Sequence, residues 1–416
     1  MSMSFDDERP DGYSPDFDNG DNAHRIGAWV VAGLGFLGAA FSAVSTRDFI
    51  QHLDRQMHSI HCSFIPGAGT ELGESGCRTV MMSPYSSMFR TSLWGGLPIS
   101  LLSMAVFAYL AYRGADLALS RQGTRTKARY LIAATVLPVL MSLIYGYISA
   151  FEIDALCKVC AGIYLTSFGA LGAAIFAYSK TQADEELEDP MPKYLGWFFQ
   201  GVGYVAFLTV IYVGFAPTTP KSAEGCSALV RGDDPNNILV PLQPRKGGVR
   251  SIAVLDPLCP ACKGFDERLE KSGLYDKMDL SAVLFPLDAS CNWMVKQSLH
   301  PGACAVSEAM LCLREKGRTV LDWAFLHQEE LTKAAKDGDG PVRERLAKEF
   351  PEVKGCLGTP AIKQKLNKSL RWGVNNAIPV LTPQLFVGNR RVCDEDTDLG
   401  LEYTLTAMIE KQGGKK

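Results

Sequence analysis

Five apolar runs in the first half of the chain limit what it can become. They cover residues 26–45, 92–112, 130–150, 157–178 and 195–216. Each approaches the ~20 residues a helix needs to cross the hydrocarbon of a bilayer. None holds Asp, Glu or Arg, and Lys158 sits at an end of its run, where it can snorkel to the interface. A soluble fold buries one or two such runs, whereas five in succession point to a membrane bundle.

Orientation follows from the loops. The 113–129 connection carries Arg113, Arg121, Arg125, Lys127 and Arg129, and short loops rich in Lys and Arg stay in the cytoplasm. The longer 46–91 loop has only four such residues, and the 179–194 loop is acidic. The amino terminus is then cytoplasmic, and the 46–91 loop, the 151–156 turn and everything after 216 lie outside. Residues 1–25 are acidic and aperiodic and read as disordered. They lack the basic region that opens a signal peptide. The net charge of −3 and the absence of a basic tract argue against nucleic acid as a partner.

After residue 216 the composition becomes that of a soluble protein. Residues 217–248 read as a linker, 249–255 as a strand, and a helix starts at Pro260, a favoured first helical residue. A second strand is expected at 279–287, a long helical tract from 292 to about 376, a hairpin around Gly388-Asn389 and a last helix at 399–411. That order suggests an α/β thioredoxin-like domain over 249–416 with a helical insertion.

Twelve cysteines are many for 416 residues, and an even number suits an oxidising compartment. None falls in the two loops assigned to the cytoplasm. Cys259-Pro-Ala-Cys262 closes a strand and opens a helix, whose amino terminus favours a reactive Cys259 thiolate. Cys262, one turn along, can resolve a mixed disulfide. A structural disulfide is the plainer alternative. A metal knuckle needs a second pair, which the spacings of Cys291, Cys304 and Cys312 do not supply, so no metal is expected. Thr382-Pro383 precedes an apolar strand, where a thioredoxin fold sets a cis-proline against its CxxC and holds an extended substrate strand. Taken alone, such a pair only marks a strand edge.

Cys62 and Cys77 flank a Gly-rich stretch that is either stapled by a plain disulfide or free to carry electrons by thiol exchange. Cys157 and Cys160 share one face of a helix at the outer end of the fourth apolar run. Only a thiol from outside or a lipid-soluble carrier such as a quinone reaches that depth. Tyr164, a turn below Cys160, either packs as an interfacial anchor or donates a hydrogen bond to a quinone carbonyl.

Together, Cys62 and Cys77 after the first run, SPYSSMF at 83–89, GLPISLL at 96–102 and CKVCAGIY at 157–164 resemble the bacterial vitamin K epoxide reductase family. CPAC with Leu381-Thr382-Pro383 extends the resemblance to members fused to a thioredoxin-like, DsbA-like domain. The resemblance implies a four-helix catalytic core at 26–180 and a fifth helix that tethers the outer domain, within 181–216. It implies a multi-pass protein of the bacterial inner membrane with that domain in the periplasm. Electrons would pass from reduced exported proteins to the membrane pool of ubiquinone or menaquinone. By position, Cys259 would oxidise client thiols with Cys262 resolving, Cys62 would reoxidise that centre, and Cys77 would exchange with Cys157. Cys160 and Tyr164 would face the quinone. Two departures are visible: the 62–77 loop is longer than usual, and the asparagine that vertebrate members set on the quinone is missing near 83–94.

Six cysteines remain as structural candidates. Cys291 and Cys304 suit a local staple, which leaves Cys312 with Cys356 and Cys226 with Cys393. The competing functions are a reductant exporter, which would need cysteines on both faces, an isomerase, and a non-enzymatic anchored module with structural disulfides.

Overall fold

The computed structural model describes residues 23–53, 79–122, 124–153, 155–182, 190–216 and 224–413. Cys62, Cys77 and the acidic residues 1–22 lie outside these. The described chain divides into two compact units, one of residues 23–46 and 100–211, the other of 47–53, 79–99 and 212–413.

The first unit is helical: α1 (Ala23–Leu53), α2 (Ile99–Leu119), α3 (Thr124–Tyr147), α4 (Lys158–Ser179) and α5 (Met191–Phe215). Apolar attraction between helices is weak in lipid, so small residues and hydroxyl pairs must join them. A Cβ added at Gly35 would stand 2.6 Å from the backbone nitrogen of Ala111, so α1 and α2 cross nearly backbone to backbone. Ser42 and Ser103 hydroxyls meet at 2.9 Å across the same pair, as do Thr46 and Ser100. Ser142 and Ser167 link α3 to α4 at 2.9 Å. Helix α5 is the peripheral member, with Tyr212 its buried residue. It is held by Trp197, whose carbonyl accepts from the Tyr109 hydroxyl at 2.6 Å and whose ring lies 4.2 Å beneath the Arg113 guanidinium.

Gly35→Leu should therefore force α1 from α2 and cost at least about 1–3 kcal/mol, as overpacking does. Gly33→Leu should cost little, because a Cβ there meets nothing within 4 Å. Thermal midpoints of the two variants in detergent check this, and equal midpoints would refute the close crossing.

Among the described residues, four helices rather than five are long and apolar enough to cross a membrane: Ala23–Leu53, Thr124–Glu152, Lys158–Ser179 and Met191–Phe215. The run expected at 92–112 becomes helical only at Ile99. Gly95 and Gly96 adopt φ of +75° and +79°, a left-handed conformation that interrupts a helix, and Leu97–Pro98 is a short strand, β2, paired with β1 (Ser87–Met88). The helix then continues through Arg113 and Asp116, whose ion pair dilutes its apolar character.

The second unit is built on a five-stranded sheet of β3 (Val240–Gln243), β4 (Val249–Leu255), β5 (Met278–Leu284), β6 (Gln384–Val387) and β7 (Arg390–Arg391), in the order β3-β5-β4-β6-β7. Only β4 and β5 run parallel, joined by helix α6 (Pro260–Lys271). Strand β4 is buried on both faces. Ile252 and Val254 pack with Val283 and Phe285, while Ala253 and Leu255 pack with Phe265 and Met310. The parallel crossover, the antiparallel β6–β7 hairpin and the closing helix α12 (Leu401–Gly413) are consistent with a thioredoxin-like domain.

Residues 217–248 are not simply a linker, because β3 within them adds an antiparallel edge to β5. Nor is 292–376 one helical tract. Turns occupy the first residues, and the insertion is α7 (Ala303–Cys312), α8 (Gly317–Leu326), α9 (Gln328–Ala334), α10 (Gly340–Glu349) and α11 (Pro360–Asn375), separated by single 3₁₀ turns or short connections. Residues 79–99 also join this unit: the Trp94 indole donates to Asp396 at 2.9 Å and Arg90 pairs with Glu402 at 3.4 Å.

Candidate active site

In the sheet domain, Cys259 is the N-cap of α6, with Pro260 directly after it. Its backbone N–H donates to the Asp256 carbonyl at 3.2 Å, which fixes the turn out of β4. Cys259 and Cys262 are both buried thiols, 5% and 2% exposed. The Cys259 sulfur lies 3.8 Å from the Thr382 carbonyl oxygen, and the Thr382-Pro383 bond is cis. Cys259, Cys262, Thr382 and Pro383 thus meet at one end of the sheet.

The two thiols are electrostatically unequal. A hydrogen bond from Cys262 does most to pull the Cys259 thiol down to about 6; burial opposes it, while Thr382 and the charge of His300 assist. Burial, followed by the bond and charge of Cys259, pushes Cys262 well above the ordinary thiol range. At neutral pH this pairs an exchange-ready thiolate with a protonated partner one turn away.

Asp256 and His300 complete this end of the sheet, and neither stands out in the sequence. The Asp256 carboxyl is fully buried and accepts from Leu258 N–H at 2.8 Å, from Leu287 N–H at 2.7 Å and from His300 Nδ1 at 2.8 Å. His300 belongs to a loop closed by the Cys291–Cys304 disulfide and held by Asp288, which accepts from Gly302 N–H and the Ser298 hydroxyl, each at 2.9 Å. The available signals were an Asp three residues before the CxxC and a His lying between two cysteines. The other structural cysteines form Cys312–Cys356 and Cys226–Cys393.

In the helical unit, Cys157 is the N-cap of α4, and its sulfur accepts from Cys160 N–H at 3.4 Å. The preceding turn is fixed by Ser149, whose carbonyl accepts from Ala155 N–H at 3.1 Å and whose hydroxyl donates back to the Ala155 carbonyl. Cys157 and Cys160 are both partly exposed, so neither is sealed in the core. Tyr164 follows one turn on, also partly exposed. Across from it on α3, a Cβ built on Gly146 would touch only the Tyr164 ring, at 3.8 Å. The Tyr164 phenol makes no hydrogen bond among the described residues. A free phenol hydroxyl is suited to donate to a carbonyl oxygen of a bound ring.

Residues 29–175 match the model of the vitamin K epoxide reductase family. Here the chain carries a domain of that family. The match takes in α2, α3, Cys62, Cys77, Cys157, Cys160 and Tyr164, and ends before α5 and the sheet domain. No curated protein matches the chain. The matched region supports an oxidoreductase of a quinone-linked family, and the spanning-length helices support a multi-pass membrane protein. Among the described residues, no cluster of His, Cys, Asp or Glu is suited to hold a metal ion.

Proposed function

We propose that the protein is a membrane thiol oxidase that forms disulfides in exported proteins and passes the electrons to a quinone. The observation that carries this reading is the placement of Cys259 as the cap of α6, its sulfur 3.8 Å from the Thr382 carbonyl, with Cys262 buried one turn on. A client thiolate attacks Cys259 of the oxidised pair and Cys262 leaves. A second client thiolate then releases Cys259, so the client loses two electrons and the pair gains them. Cys62 and Cys77 relay this pair of electrons to Cys157 and Cys160 by two further exchanges. The quinone, ubiquinone or menaquinone, supplies the terminal two-electron, two-proton acceptor. Cys160 presents its sulfur toward that acceptor, and Tyr164 donates a hydrogen bond to a carbonyl oxygen. With the amino terminus cytoplasmic, the sheet domain faces the periplasm of a bacterial inner membrane.

The test uses purified full-length protein, a reduced client protein and a short-chain ubiquinone or menaquinone, with oxygen excluded. The expected result is one quinone reduced per client disulfide formed, and no reduction with Cys259→Ser. If Cys259→Ser turns over like the parent, the relay is wrong.

A further inference from the structure

The CPAC turn carries no cation before Lys263, yet it holds a sulfur that must leave as an anion. We propose that His300, delivered by the Cys291–Cys304 loop and oriented by Asp256, is the positioning residue that stabilises the Cys259 thiolate and so favours the reduced state of the pair. This rests on the reading of Cys259 and Cys262 as an exchange centre.

The geometry converges from three elements. Asp256 directly follows β4, and its carbonyl holds the Cys259 N–H at 3.2 Å, so carboxyl and sulfur belong to one turn. The Asp256 side chain accepts from Leu258, from Leu287 and from His300 Nδ1. That bond leaves Nε2 to carry the second proton of a charged imidazole. The loop is rigid where it presents the ring: Leu299 N–H and His300 N–H both donate to the Leu287 carbonyl, at 2.9 and 3.3 Å, and the disulfide closes its ends.

The charged and titratable groups facing His300 are Asp256 directly after β4, Cys259 from the start of α6 and Asp288 from its own loop. Burial disfavours the imidazolium, but the bond to Asp256 and the three negative groups outweigh it, so His300 titrates above its ordinary value. Its charge in turn lowers Cys259. During client oxidation the mixed disulfide between client and Cys259 breaks as the second client thiolate attacks the client sulfur. Cys259 departs with the bonding electron pair, its charge stabilised by the imidazolium that Asp256 holds. Of the two client protons, one goes to Cys262 and the other to solvent. A stabilised leaving thiolate speeds this step and shifts the exchange toward oxidised client.

The test is the pH dependence of iodoacetamide modification at Cys259 in the full-length protein. The CPAC pair is first mildly reduced, and the labelled peptide is quantified by mass. The wild-type midpoint is expected near 6. His300→Gln should raise it by about one pH unit, with labelling below the midpoint about tenfold slower. His300→Lys, which keeps the charge, should recover at least half of the shift. Cys291→Ser with Cys304→Ser, which loosens the loop but spares the histidine, should also raise the midpoint. An unchanged midpoint in His300→Gln overturns the proposal, and so does an equal shift in the Gln and Lys variants. Quinone reduction in the same wild-type preparation separates the two ideas. Loss of turnover with the His300 effect intact removes the oxidase reading alone, and normal turnover without that effect removes this one.

Discussion

Cys160→Ser should reduce steady-state quinone reduction by more than about a thousandfold, as removal of an obligatory reacting group does. The fold should survive, because Cys160 contributes its backbone N–H to the Cys157 cap and serine keeps that donor. The sheet-domain pair does not depend on Cys160 for its own exchange. The variant should therefore oxidise a client once per stored oxidising equivalent and then stop. Counting thiols consumed in the first turnover, beside quinone absorbance over minutes, checks both halves of this expectation. Steady turnover at the parental rate would show that electrons bypass Cys160.

Cys262→Ser should convert the sheet domain into a trap. Cys259 alone can still attack a client disulfide and form a mixed disulfide, but nothing on the enzyme one turn away can release it. Multiple turnover with reduced client should fall by more than about a thousandfold, while incubation with a disulfide-bonded client should accumulate an adduct on a non-reducing gel. Cys259→Ser should form none. Serine can still donate a hydrogen bond to Cys259, the largest cause of its acidity, so the nucleophile should stay ionised at neutral pH. The thiolate is lost as pH falls through about 6. Adduct formation should thus level off above neutrality and drop about tenfold per pH unit below the midpoint. A rate that climbs steadily to pH 9 would contradict that acidity.

The features most legible in the sequence were those written in local spacing. CPAC after a β-branched run marks a strand-to-helix turn, and the structure has Cys259 as a helix cap there. Cys157 and Cys160 could be placed at a helix start for the same reason. The start of α2 was misread because Trp94 to Leu97 look apolar enough for lipid, whereas the left-handed glycines decide otherwise. Strand β3 was missed because Val-Pro-Leu-Gln is short and holds a proline, a composition that only an edge position tolerates. The contribution of His300 depends on a loop closing over 13 residues and on a carboxyl 44 residues away. Neither separation leaves a periodic trace in the sequence.

The Cys226–Cys393 bond joins the segment entering the sheet domain to the end of β7 across 167 residues. It makes a covalent ring of nearly the whole domain, with Cys259, Cys262 and both other disulfides on its circumference. A protease that cuts a single insertion loop opens that ring without creating a second fragment. The upstream end stays on the membrane part through the peptide chain, and the downstream piece stays on it through the sulfur bridge. The domain can therefore be nicked once and still keep Cys259 and Cys262 on the membrane part, until a reductant strong enough to open the bridge arrives.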